Sequence, residues 1–157
     1  MVCTFEIHQV APGLLHEIRR KVLRGGDPDA SVVDPRDDEP TALHFAGLLG
    51  SRVVVSASFY PTTAPMAPDF VGYQLRYMAT EPDVQGVGYA ARVLATAEVE
   101  LRRLGAQIIW ANGRDSALGF YRSTGWRTIA GSEHLSAETR LPHTVIYKGL
   151  APVNERK

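Results

Sequence analysis

Between Val71 and Leu104 the sequence passes from two-residue alternation, through a turn carrying Gly86 and Gly88, into apolar residues at helical spacing. Tyr73, Leu75 and Tyr77 alternate with Gln74, Arg76 and Met78, and Val93, Ala97, Leu101 and Leu104 recur on one helical face. A strand feeding a helix through glycines gathers unpaired backbone N–H groups and the positive end of the helix dipole at one place, which suits a phosphate. Gly86, Gly88 and Ala91 also satisfy the dinucleotide pattern G-x-G-x-x-A. That pattern needs an acidic residue at the end of the next strand, and here the strand ends Trp110-Ala111-Asn112. Too little chain follows for a second mononucleotide half, so a dinucleotide fold is set aside.

The rest of the chain supplies partners for this unit. Cys3 to Val10 reads as a strand, and Pro12-Gly13 ends it before Leu14, Leu15, Ile18 and Val22 recur at helical spacing. Gly25 to Pro40, rich in Gly, Pro and Asp, reads as a long surface loop. Ala42 to Leu49 and Arg52 to Tyr60 flank Gly50-Ser51 as an antiparallel hairpin, and Pro61, Pro65 and Pro68 mark a second loop. Past Gly105, Gln107 to Ala111 is a short strand, Ser116 to Ser123 a helix stopped by Gly125, and Trp126 to Ala130 and Thr144 to Leu150 two last strands. The order β-α-β-β-β-α-β-α-β-β, without repeats, implies a single domain over residues 1–157 with a mixed-sheet α/β architecture.

Composition bounds the partners. Apolar residues are 45% and charged residues 22%, and 17 basic residues balance 17 acidic ones, which argues against bulk binding to nucleic acid or to a membrane surface. No stretch approaches the roughly 18 apolar residues of a spanning helix, and the first residues lack a signal-peptide core. Cys3 is the only cysteine, so no internal disulfide forms, and a cytoplasmic location is expected. His8, His16, His44 and His134 show no metal-ligand spacing, so no metal is expected.

Gln85 to Ala90 resembles the pyrophosphate loop Q/R-x-x-G-x-G/A of the GNAT superfamily of N-acetyltransferases, and Ala117 to Trp126 is similar to that family's A-x-x-F-Y-x-x-x-G-F/W signature. The resemblance implies a GNAT-like acyl-CoA N-acyltransferase fold, a central mixed, mostly antiparallel sheet flanked by helices, with acetyl-CoA as co-substrate. Its binding residues would be Met78, Ala79, Thr80, Gln85, Gly86, Val87, Gly88, Tyr89, Ala90, Asn112 and Phe120. The pattern is closest to glyphosate N-acetyltransferase-like enzymes, through Ile18 to Arg24, Leu43-His44-Phe45, Gln74 to Thr80, Trp110 to Arg114 and Pro142-His143. In that subgroup the matching arginines bind an acidic substrate and the histidine is the base, here Arg24, Arg76, Arg114 and His143. Tyr77 stands where a glycine is usual, Ala111 and Gly113 replace cysteine and alanine, and Leu141 replaces the glycine before Pro142. A Tyr77 ring turned inward would narrow the pocket.

The implied chemistry is direct attack of an amine on a thioester. A free α-amine, with a pKa of about 8, must lose a proton, and a histidine of ordinary pKa about 6.5 can take it. His143 fills that role, and Tyr121 would donate to the departing sulfur as thiolate develops. A backbone N–H near Met78 or Ala79 would polarise the carbonyl. Three guanidiniums together suit an acceptor carrying carboxylate, phosphonate or phosphate groups. Each arginine could instead pair with acids such as Asp34, Asp37, Asp38 and Asp115. The expected partner is thus a small anionic amine, with the oligomeric state open between monomer and homodimer. The alternatives are a protein or peptide amine acetyltransferase and a non-catalytic acyl-CoA-binding sensor.

Overall fold

The computed structural model describes residues 3–152. These residues divide into two units, one running up to Tyr60 and including Leu75–Glu100, the other formed by Pro61–Gln74 and the chain from Leu101. In the first unit β1 (Phe5–Gln9) pairs antiparallel with β2 (Leu43–Leu49), which pairs antiparallel with β3 (Arg52–Pro61) across the Gly50-Ser51 turn. The next neighbour of β3 is β4 (Gly72–Thr80). The helical run over 12–23 is irregular: a 3-10 turn Pro12–Leu15, one α turn α1 (His16–Ile18) and a π turn Arg19–Leu23. It sets Leu15 and Ile18 against Ala46 and Ala79, with Val22 and Leu23 packed beside them, so burial of the apolar stripe holds a segment that lacks side-chain caps.

The glycine turn leads into α2 (Tyr89–Arg103), whose Val93, Leu94, Ala97 and Leu101 are buried. Leu104, expected on the same face, lies beyond the helix and is exposed, because Gly105 at φ +90° ends the run there. In the second unit the first residues of β4 pair parallel with β5 (Ile108–Arg114), and β5 pairs antiparallel along its whole length with β8 (Pro142–Gly149). β6 (Arg127–Thr128) and β7 (His134–Leu135) are two-residue strands, both antiparallel to β8. Between them and β5 lies α3 (Leu118–Ser123), entered through a 3-10 turn Asp115–Ala117. Ala64, Ile108 and Trp110 form this unit's apolar cluster with Met66, Ala67, Val145 and Tyr147.

The architecture is the expected one, a mixed α/β fold with a mostly antiparallel open sheet flanked by helices. Three local departures bear on the site. β8 begins at Pro142 rather than Thr144, so His143 is a strand residue and not the end of a loop. β7, too short to show alternation, was not anticipated, and it places His134 opposite His143. The alternation of β4 breaks at Tyr77, which adopts a left-handed φ of +58°.

Candidate active site

In the first unit, Met78, Ala79 and Thr80 end β4, and the Gln85 side chain folds back to donate to the Thr80 carbonyl at 3.1 Å. The connection is braced by buried Glu81, whose N–H donates to Val54 and whose carboxylate receives Lys21 at 2.7 Å and faces Arg52 at 3.5 Å. Gly86 and Gly88 take φ of +80° and +94°, and a Cβ added at either would meet nothing within 4 Å. Val87 between them is exposed, and Tyr89 and Ala90 open α2 half-buried. Glycine thus supplies both the backbone conformation and clear space before a helix N-terminus, which fits a diphosphate group. The Tyr89 ring stacks on Phe5 at 4.0 Å, and Arg92 lies 4.9 Å from the Phe5 ring centre, so β1 supports the start of α2.

The same unit holds a polar network that spacing alone does not disclose. Arg19 is completely buried and donates to the Val32 carbonyl, to both oxygens of Asp37 and to Ser58. His44 accepts from the Ser58 hydroxyl at Nδ1 and donates to the Asp37 carbonyl from Nε2, while Tyr60 donates to the Asp37 carboxylate. These donors hold the Asp37 carboxyl down at about 2 against the opposing cost of burial, and burial pushes His44 below its ordinary value and Tyr60 above it. Asp34 accepts from Arg36 on both oxygens and from Arg76 Nη1 at 2.9 Å, and these cations keep it below the usual carboxylate range despite burial. Arg76, expected as a substrate arginine, is therefore half-buried in an ion pair with Asp34. Arg24, expected in the same role, ends the helical run half-buried and donates to the Leu23 carbonyl at 3.2 Å. Tyr77 lies between Arg19 and Arg76, with guanidinium carbons 4.0 and 4.6 Å from its ring centre.

In the second unit the register of β5 and β8 sets Arg114 directly opposite His143. His143 is buried, and its Nδ1 donates to the Leu141 carbonyl at 2.8 Å, which leaves Nε2 as the acceptor nitrogen of a neutral ring. His134 across β7 repeats the arrangement, donating from Nδ1 to Ser132, with ring centres 6.0 Å apart. The next residue of β8, Thr144, donates to Asp115 at 2.7 Å, fixing the start of the turn into α3. From α3, Tyr121 is buried and Phe120 half-buried, and the two adjacent rings meet edge-on with centres 5.2 Å apart. Burial pushes the Tyr121 phenol well up, and the Arg114 charge partly offsets this. Tyr121 packs edge-on against buried Trp126. A Cβ at Gly113 would meet Ile146 Cδ1 at 2.9 Å and Tyr121 Cε2 at 3.5 Å, so the small residue there lets the ring approach β5. Asn112, one residue earlier, is exposed.

Among the described residues no cluster of His, Cys, Asp and Glu could hold a metal ion, and no helix is long and apolar enough to cross a membrane. Residues 14–126 match the model of the acetyltransferase (GNAT) family. A candidate N-acetyltransferase from Lactobacillus plantarum is 19% identical, with a TM-score of 0.75 over 94% of this chain and 99% of that one. An aminoglycoside 6'-N-acetyltransferase complexed with coenzyme A is 13% identical, with a TM-score of 0.73 over 96% of this chain and 99% of that one. The ribosomal-protein-S18-alanine N-acetyltransferase of Escherichia coli is 14% identical, with a TM-score of 0.69 over 98% of this chain and 99% of that one. At such identities the likeness is one of fold. No curated protein matches the chain in sequence.

Proposed function

The chain belongs to the GNAT family of acetyltransferases, acetyl-CoA-dependent enzymes, and within that activity we propose that it acetylates the amine of a small acidic molecule, amino-acid or phosphonate-like, by direct attack. The observation that carries the reading is the pairing of Arg114 with His143 on adjacent strands, a guanidinium beside an imidazole whose acceptor nitrogen is fixed. The sequence likeness to glyphosate N-acetyltransferase-like enzymes at Arg24, Arg76, Arg114 and His143 supports it.

Acetyl-CoA supplies the thioester carbon that the amine attacks. Gln85 to Ala90 hold its diphosphate through backbone N–H groups, and the end of β4 at Met78 to Thr80 offers a backbone N–H to the carbonyl oxygen as charge develops there. The sequence likeness assigns Asn112 and Phe120 to the cofactor as well. His143 Nε2 takes the amine proton while Nδ1 keeps its bond to Leu141, so the ring accepts without turning. Tyr121, protonated throughout the neutral range because burial raises its phenol, donates toward the departing sulfur. The sequence likeness assigns Arg24, Arg76 and Arg114 to the anionic groups of the acceptor. Direct attack needs no acyl-enzyme, so exposed Cys3 is assigned no role. We assign these roles to a single acetyltransferase domain acting in the cytoplasm.

Thiol release from acetyl-CoA, measured with matched amines bearing zero, one and two anionic groups, tests the reading. A kcat/KM rising with anionic groups is expected. A preference for uncharged amines, or for peptide N-termini over every small amine, would overturn it.

A further inference from the structure

Tyr77 and Arg140 are the non-glycine residues with left-handed φ among the described residues, and Tyr77 lies within a strand. An aromatic residue keeps that conformation when its surroundings compensate for the crowding of its Cβ. Two contacts do so here. The Tyr77 carbonyl accepts from Ser56 Oγ at 2.7 Å, and the ring lies against the Arg19 and Arg76 guanidiniums.

The two cations differ in burial. Arg19 is completely buried and tied to Val32, Asp37 and Ser58, so it is a fixed wall behind the ring. The Arg76 side chain keeps about a quarter of its surface exposed, and Asp34, gripped on both oxygens by Arg36, receives its Nη1. One edge of the Arg76 fork is thus set by Asp34 and the position of its plane by Tyr77. Glycine at 77 would ease the backbone and remove the ring.

We propose that Tyr77 is a specificity-determining positioning residue, its ring wedged against Arg19 so that the Arg76 guanidinium is held where the anionic oxygens of the acceptor meet it. This rests on the acidic-acceptor reading above. The ring discriminates through Arg76, so it acts on acceptor affinity and not on the acetyl-transfer step.

The test compares wild type, Tyr77→Phe and Tyr77→Gly with an amine carrying a carboxylate, its phosphonate analogue and its uncharged analogue, recording kcat and KM for each. Tyr77→Gly should raise KM for both anionic amines roughly tenfold, with kcat and the KM of the uncharged amine nearly unchanged. Tyr77→Phe, which keeps the ring, should stay within about twofold of wild type. Glycine adopts the left-handed backbone without strain, and should that variant not fold, Tyr77→Asn, tolerant of the same conformation, takes its place. An equal rise for charged and uncharged amines would show general loosening and overturn the proposal, as would a Tyr77→Phe variant as impaired as Tyr77→Gly. A wild type that prefers acidic amines beside a Tyr77→Gly variant with the same preference overturns Tyr77's role alone. A wild type with no such preference overturns the acidic-acceptor reading and this proposal with it.

Discussion

A neutral imidazole with one nitrogen committed to a backbone carbonyl has its tautomer set before any ligand arrives, and His143 is in that position. His143→Gln should therefore lower kcat by about 10²- to 10⁴-fold with little change in acceptor KM, as read from steady-state thiol release. Arg114→Ala, across the strand pair, should raise acceptor KM about tenfold and leave kcat nearly intact. Resemblance singled out both residues, but nothing in the sequence disclosed that they are register partners. Register depends on where β8 begins, and the apolar alternation marks its start only from Thr144, which leaves Pro142 and His143 in the loop. The Arg19, Asp37 and Ser58 network was hidden for a related reason. Its members are 18 and 39 positions from Arg19, and no periodicity joins a helical turn, a loop and a strand.

Elements were more legible than contacts. The long strands, α2 and the glycine turn follow from alternation, helical spacing and φ-permissive residues, each a local signal. What escaped was short or irregular: two-residue β7 carries no period, β6 is shorter than the strand expected over Trp126 to Ala130, and the mixed 3-10, α and π turns over 12–23 differ in hydrogen bonding while sharing one apolar stripe. The turn offers a test at this scale. Gly88→Val places a β-branched residue at φ +94°, costing at least the roughly 1–2 kcal/mol of left-handed backbone. The expected result is a KM for acetyl-CoA raised tenfold or more with acceptor KM unchanged, checked by varying each substrate at saturation of the other. The clear space at that Cβ means the effect comes from the backbone and the lost approach of the diphosphate, not from a clash within the protein.

Taken as a whole, the molecule should be acid-sensitive in two stages. His44 resists protonation when folded, so unfolded chain binds more protons below about pH 6.5 and stability declines from there. Asp37, held at about 2, adds stability of the order of 2 kcal/mol above pH 4 that is lost as the pH falls toward 2. Urea midpoints at pH 7, 5 and 3 should fall in that order. Asp37→Asn should flatten the lower stage and cost about 3 kcal/mol at neutral pH, because Arg19 would be left buried without its counter-ion. Choosing the observable matters, since both tryptophans of the chain, Trp110 and Trp126, belong to the second unit. Intrinsic fluorescence excited at the indole band is therefore blind to the first unit, where Asp37 and the glycine turn reside. Far-ultraviolet circular dichroism recorded on the same samples samples both, and superposition of the two melting traces becomes a direct measure of cooperativity across the chain.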